Sequence, residues 1–414
     1  MDNWDLSPPS PSELGDREVL LDGMHLAGRR IALLVCGSIA AYRSPDIARA
    51  LRRQGADVVA FVSKEARRYV TIDALEWSTN NPVVTRLTAA AEHLSDERPF
   101  AAYLVAPATY DTINKMRLGI ADGVVTSTLA SAIGRMESGR TALIVAPTMH
   151  GSMHNSLLTE SLRSLRSIGA RIIQPRRAYG KNNLPDPQVI VVHLCRALSR
   201  SPLRDIPILV TGGPTPVPLD AIRRITNRFT GQLGIEIAQE LHLRGATVHL
   251  VHGAGTATPP DWLPHTIAPT YDAYRDRVLT LLGDRPYRFG IFSAAVADYQ
   301  PAEVHPGKIP SGGEWKTIQL KPTEKVIDLV QSVAPNLGLI SFKYQEGVSH
   351  EALLQIARSR LQKGHLAVVA NRGNETGPNG EQVAYLVTGE RSPLRMMNKP
   401  GIATGLADWL ESAI

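Results

Sequence analysis

Residues 206–235, IPILVTGGPTPVPLDAIRRITNRFTGQLGI, decide how the rest of the chain is read. Ile206 to Val210 is a short apolar run, and such a run without polar alternation reads as a parallel strand buried on both faces. Thr211-Gly212-Gly213-Pro214-Thr215 follows as a tight turn. Glycine lets backbone N–H groups approach a phosphate with no Cβ in the way. Asn227 to Gly234 then leads into an amphipathic helix, Ile235–Leu243. Asn, Arg, Thr and Gly at a helix start suit an anion, because unpaired N–H groups and the helix dipole converge there. On the glycines alone the stretch is equally an ordinary strand–turn–helix of an α/β domain.

Working outward, strand and helix alternate almost throughout the 414 residues, as in parallel sheets covered on both faces. Strands are expected at Ile31–Cys36, Asp57–Val62, Ala101–Val105, Thr141–Ala146 and Arg171–Ile173. After the turn at 211–215 they recur at Thr247–Val251, Phe289–Phe292, Gly338–Ser341 and Leu366–Val369. Ser63 is expected to open a helix after the second strand. SRSPLRDIP, 199–207, carries Ser, Pro and charge, the composition of a boundary. The expected organisation is an N-terminal extension over 1–28, partly disordered, a domain over 29–198, a linker over 199–206 and a second domain over 207–414. The fold class is α/β, two Rossmann-like three-layer domains with mostly parallel sheets.

Composition narrows the function. Net charge is +6, with basic residues spread along the chain rather than clustered. That fits small anionic substrates better than nucleic acid, and so few aromatics leave no base-stacking platform. Two cysteines, Cys36 and Cys195, lie in an expected strand and helix, which fits a reducing cytoplasm and no disulfide. No apolar run approaches the length of a membrane span, and the acidic, Pro/Ser-rich N-terminus is not a signal peptide.

Open α/β sheets bind ligands beyond the carboxyl ends of their strands. In the first half those ends carry Gly37-Ser38, Ser63, Pro107-Ala108-Thr109 and Pro147 to Met153. Small hydroxyl residues beside glycine cradle phosphate, although each hydroxyl alone is more often a helix N-cap. His93 precedes an expected strand, where a lone histidine is usually a solvated loop residue. In the second half Ser293-Ala294-Ala295-Val296-Ala297-Asp298 follows a strand. Asp298 there suits Mg²⁺ or a ligand hydroxyl. Lys308 stands ten residues later in a Gly/Pro-rich loop, and a lysine on such a loop can close on a polyphosphate. Phe342-Lys343 and Lys363 are further candidates, each commonplace alone.

Together these segments resemble the bifunctional coenzyme A biosynthesis proteins, over about residues 29 to 414. That family fuses a phosphopantothenoylcysteine decarboxylase to a phosphopantothenate–cysteine ligase. TGGPTPVPLDAIRRITNRFTGQLG is similar to its TxGPTxEPxDPVRxIxNxSSGxMG. The resemblance places Asn227 on the asparagine that stabilises the acyl-nucleotide intermediate, and Asp298 and Lys308 on the nucleotide-binding aspartate and loop lysine. Gly212, Gly213, Thr215, Ser293, Ala294, Lys325, Phe342, Arg360 and Lys363 fall on further ligand positions. Phe229-Thr230 replace Ser-Ser, and the cluster after Lys308 is reduced to Lys-Ile-Pro-Ser. SFKYQE and LKPTEKVID look archaeal.

The first half resembles the homo-oligomeric flavin-containing cysteine decarboxylases, which implies a flavodoxin-like domain. GSIAAYR matches GSIAAYK, and APATYDTINKMRLGIADGVV matches APATADTIxKxAxGxADDLL. His93 falls on the active-site histidine. Gly37, Ser38, Ser63, Ala106, Thr109, Thr126, Ser127 and Met149 are implied at the cofactor, with His150 and Met153 at the substrate. His150 replaces the asparagine of PxMNxxM, and the flap cysteine is missing from 175–182, leaving Tyr179 and Lys181 as candidate proton donors. The resemblance implies FMN, Mg²⁺, CTP as co-substrate, and a homo-oligomer, a dodecamer built from flavin-half trimers and ligase-half dimers. Two other readings stay open: a ligase with a non-catalytic flavin-binding half, and a flavoprotein regulatory subunit with no catalysis.

Overall fold

The computed structural model describes residues 5–94, 96–312, 317–389 and 392–414. The chain divides into two compact units, Met1–Ser199 and Arg200–Ile414. Among the described residues no helix is long and apolar enough to cross a membrane.

The first unit runs β1 (Arg30–Val35), α1 (Ser44–Arg52), β2 (Asp57–Val62), α2 (Ile72–Thr79), β3 (Ala102–Ala108), α3 (Tyr110–Leu118), α4 (Val124–Glu137), β4 (Ala142–Pro147), β5 (Met149–His150), α5 (Ser156–Ser167), β6 (Arg171–Ile172), β7 (Arg176–Ala178), β8 (Lys181–Asn183) and α6 (Pro187–Leu198). Its main sheet has the order β2-β1-β3-β4-β6, parallel throughout. The strand order reverses between β1 and β3, and there a crevice opens for a ligand. Ala32, Leu34, Tyr103 and Val105 enter one core with Leu129 of α4 and Leu158 of α5, so both strands spend their alternate residues on burial.

Two expectations are corrected here. Residues 22–28, read as part of a partly disordered extension, are docked in part. Leu26 is fully buried, its N–H donates to Gln54 O at 2.8 Å, and Asp22 N–H donates to Arg53 O at 2.8 Å. One buried leucine anchors a segment whose overall polarity hides it; residues 1–4 lie outside the described residues. Ser63 does not open a long helix. Its Oγ accepts from Ala66 N at 3.2 Å over a single short turn, and α2 starts later, where Thr71 caps it by accepting from Ala74 N.

The second unit runs β9 (Pro207–Gly212), β10 (Val217–Pro218), β11 (Arg224–Ile225), α7 (Gln232–Leu243), β12 (Thr247–Gly253), β13 (His265–Ala268), α8 (Tyr271–Asp284), β14 (Phe289–Phe292), β15 (Tyr299–Pro301), β16 (Leu320–Pro322), α9 (Val326–Val333), β17 (Gly338–Gln345), α10 (His350–Leu361), β18 (Ala367–Arg372), β19 (Val383–Val387), β20 (Leu394–Met397) and α11 (Lys399–Ser412). The large sheet has the order β13-β12-β9-β14-β17-β18-β19-β20, parallel through β18 and antiparallel beyond. The first six strands follow the Rossmann order, with the reversal between β9 and β14. β9 shows why its sequence is apolar without alternation. Ile208 and Val210 pack with Ile237 and Leu241 of α7 and Leu406 of α11. Leu209 packs on the other face with Tyr271, Tyr274 and Val278 of α8. The Ser/Pro-rich stretch before β9 is packed too: Leu203 is fully buried, and Ser201 Oγ donates to Glu411 Oε1 at 2.6 Å.

Candidate functional site

In the first unit a cavity of about 1080 Å³ lies at the carboxyl ends of β1 and β3. Gly37, Ser38, Ser63, Thr109, Thr126, Met149, His150 and Met153 line it. The hydroxyls are also caps. Ser38 Oγ accepts from Ala40 N at 3.2 Å, and Thr109 Oγ1 accepts from Thr112 N at 3.3 Å. Thr126 Oγ1 takes the Gly123 N–H at 2.8 Å, fixing the first turn of α4. Thus α3 and α4 both begin at the cavity wall, and two positive helix ends suit a phosphate. Gly37 has its own reason to be glycine: a Cβ there would come within 2.5 Å of Glu65 Cβ.

Three predicted residues stand apart from this cavity. Ala106 is fully buried in β3, where its carbonyl faces Ser44 Oγ at 3.5 Å. Ser127 turns to Ala121 O at 3.2 Å. His93 does not line the cavity; its Nδ1 is buried with no hydrogen-bond partner among the described residues.

The flap segment that the resemblance places at 175–182 is a hairpin, a form the sequence reading did not give. β7 and β8 form a hairpin whose turn residues Tyr179 and Gly180 have φ of 54° and 66°, the left-handed pair a two-residue turn needs. β8 pairs with β5, setting Lys181 directly opposite His150. Both line the cavity, whereas Tyr179 is 94% exposed. Ser152 N donates to His150 Nδ1 at 3.2 Å, which leaves Nε2 as the protonated nitrogen of the neutral ring. Both cysteines are buried. Burial pushes the Cys36 thiol up to about 11.

In the second unit a cavity of about 680 Å³ opens between the carboxyl ends of β9 and β14. Asn227 lies on its wall, and its Nδ2 donates to Ala295 O at 2.9 Å. Gly213, Ser293, Ala294, Asp298, Lys325, Phe342 and Arg360 share that wall. Asp298 is ion-paired with Lys325. Among the described residues no group of three or more His, Cys, Asp or Glu side chains is placed to hold a metal. Arg360 donates to Ser341 Oγ and Phe342 O, both at 3.2 Å. Burial and the Arg360 charge hold the half-buried Lys343 ammonium below its ordinary range.

Part of the expected phosphate seat proves structural. A Cβ on Gly212 would meet Gly234 Cα at 2.9 Å, and one on Gly234 would meet Gly212 Cα at 2.7 Å. These two glycines let β9 and α7 cross at backbone contact. Thr215 is buried, and its Oγ1 accepts from Ala297 N at 2.9 Å. Of the turn residues read as phosphate-facing, Gly213 alone among Gly212, Gly213 and Thr215 reaches the cavity. Lys308 and Lys363 are exposed and line neither cavity.

Sequence reasoning missed the far end of the second cavity, where Asn371, Arg372 and Lys399 stand. The signal was present. Asn371-Arg372 close a parallel strand, the position ligands favour. Phe229 and Tyr344 also face each other edge-on there, ring centroids 5.6 Å apart; the first was read only as a departure from serine.

Residues 22–199 match the family model described as flavoprotein, and residues 203–413 the one described as DNA/pantothenate metabolism flavoprotein C-terminal domain. The coenzyme A biosynthesis bifunctional protein of Thermococcus kodakarensis is 33% identical over 396 residues, covering 94% of this chain and 96% of that protein. The protein of the same name from Escherichia coli K12 is 32% identical over 327 residues, 75% of this chain and 78% of its own. The crystal structure of the DNA/pantothenate metabolism flavoprotein from Streptococcus pneumoniae aligns with a TM-score of 0.46 at 27% identity, covering 50% of this chain and 100% of that one.

Proposed function

The chain belongs to the family of bifunctional coenzyme A biosynthesis proteins, with a ligase and an FMN-dependent decarboxylase activity in one polypeptide, and on that premise we propose which cavity does what. The second cavity is the ligase. The carboxylate of 4′-phosphopantothenate attacks the α-phosphate of CTP, pyrophosphate leaves, and the cysteine amine then displaces CMP from the acyl-cytidylate. The observation that carries this reading is the gathering of Asn227, Lys325, Lys343 and Arg360 around one crevice at the β9/β14 reversal.

Ala295 O takes one N–H of Asn227, so the amide is oriented with its remaining N–H free for an acyl oxygen. A hydrogen bond that strengthens as charge develops accelerates the step. An incoming triphosphate relieves the unfavourable crowding of Lys343 and Arg360. Lys325 would pass from Asp298 to phosphate, which would free the Asp298 carboxylate to hold Mg²⁺. Mg²⁺ held there would supply Lewis-acid polarisation. Lys308 lines neither cavity as the loop stands, so it would screen the developing charge once the loop closes on the bound polyphosphate.

The first cavity is the decarboxylase. Its two helix ends with Ser38, Thr109 and Thr126 fit the phosphate of FMN, and bound FMN supplies the redox chemistry. The net reaction releases CO₂ and adds one proton to carbon. Lys181 supplies that proton, since Tyr179 points away and neither cysteine is accessible. His93 lies outside its own chain's cavity, which favours a homo-oligomer in which it serves a neighbouring protomer's flavin.

CTP-dependent pyrophosphate release with phosphopantothenate tests the ligase, and CO₂ release from phosphopantothenoylcysteine tests the decarboxylase. A protein that is yellow yet releases no CO₂ would support instead the ligase with a non-catalytic flavin half.

A further inference from the structure

The loop that carries Lys308 is fastened by a buried carboxylate that no catalytic step uses. Asp220 sits in the turn between β10 and β11, and its carboxylate is fully screened from solvent. Oδ1 accepts from Ile222 N at 2.9 Å and Arg223 N at 2.6 Å, closing the turn on itself. Oδ2 reaches out of the turn: it accepts from Ile309 N at 3.1 Å and from Arg223 Nη1 at 3.0 Å. The same Arg223 nitrogen donates to Ile309 O at 3.2 Å. Ala221 N donates to Gly307 O at 3.3 Å, and His305 N to Leu219 O at 3.2 Å. Lys308 is therefore held at both neighbours, Gly307 and Ile309, by one hairpin turn. That hairpin's second strand ends two residues before Asn227.

We propose that Asp220 is a positioning residue of the ligase, latching the Lys308 loop to the hairpin that delivers Asn227. One carboxylate sets two groups, 81 positions apart in the sequence, in a common frame. This rests on the reading of Lys308 as the charge-screening lysine. Burial opposes the ionised form of Asp220, but the three backbone N–H groups and the Arg223 charge outweigh it and hold the group at about 2. The latch is therefore charged wherever the enzyme works.

Asp220→Asn separates latch from turn. The remaining carbonyl oxygen keeps the Ile222 and Arg223 N–H groups, while the new amide sets a donor against Ile309 N–H and the Arg223 guanidinium. The measurement is a double-mutant cycle with Lys308→Ala on full-length protein, reading kcat and KM for CTP, together with trypsin cleavage at the Lys308–Ile309 bond in the Asp220→Asn protein.

The expected result is that each single variant lowers ligase kcat/KM, by up to about 10²-fold for a displaced group, and that the double variant is no worse than Lys308→Ala. Cleavage after Lys308 accelerates, while CO₂ release stays unchanged. Additive losses in the cycle overturn the proposal, because Asp220 then acts through something other than Lys308. Wild-type kinetics in Asp220→Asn with an impaired Lys308→Ala overturns the latch alone. A silent Lys308→Ala overturns the Lys308 reading and the latch's catalytic purpose together.

Discussion

The Asn227 side-chain amide donates to the carbonyl oxygen of Ala295, 2.9 Å away and 68 positions on in the sequence. A carbonyl accepts only, so the bond identifies the amide end against Ala295 as Nδ2 and leaves that nitrogen a second N–H. Asn227→Asp sets a carboxylate oxygen against that carbonyl and turns the group aside. Amide formation is expected to fall by about 10²–10³-fold, the usual loss for a removed transition-state donor. A coupled assay with CTP, cysteine and phosphopantothenate measures it; normal amide yield would remove Asn227 from the mechanism.

Gly212 and Gly234 touch backbone to backbone, and a Cβ on Gly234 has 2.7 Å of room. Gly234→Ala is expected to cost about 1–3 kcal/mol through overpacking and to push the start of α7 away from β9. Urea unfolding gives the stability. A variant as stable as the parent would mean that the crossing relaxes without cost.

Acid should loosen the second unit. Burial, reinforced by the Arg360 charge, holds His365 down to about 4; burial, with Arg277 and Arg285, does the same for His249. Unfolded, both titrate near about 6.5. The unfolded chain therefore binds protons that the folded unit refuses, so stability is full above about pH 6.5 and is lost progressively as pH falls toward about 4. His365 Nδ1 lies 2.7 Å from Ser341 Oγ, which accepts from Arg360, so protonation also strains a cavity residue. Denaturation midpoints flat across that range would contradict this.

Cys36 and Cys195 are each 1% exposed. Alkylation of the native protein with iodoacetamide should leave CO₂ release intact. Lys181→Met should lower it by about 10²–10⁴-fold, the usual weight of a general acid, with amide formation unchanged. Loss of CO₂ release on alkylation would show that a thiol takes part after all.

Much of the frame was legible. The runs at Ile31–Cys36, Asp57–Val62 and Ile208–Val210 announced buried parallel strands, because a strand covered on both faces needs no polar alternation. The short hairpins were not announced. β7–β8 and β10–β11 are two or three residues per strand, too brief for a period to register. Yet they carry Lys181 to its cavity and Asp220 to the Lys308 loop.

Local sequence alone thus determined two α/β units, the strand ends at which the two cavities open, and the hydroxyls that cap helices at the first cavity. Each depends on residues a few positions apart, where backbone periodicity and capping act. Tertiary structure alone decided that Gly212 packs on α7 instead of facing phosphate, that Thr215 ties β9 to the segment after β14, and that Asp298 is paired with Lys325. Those outcomes depend on which distant groups the sheet order brings within a few ångströms, and no local pattern carries that information.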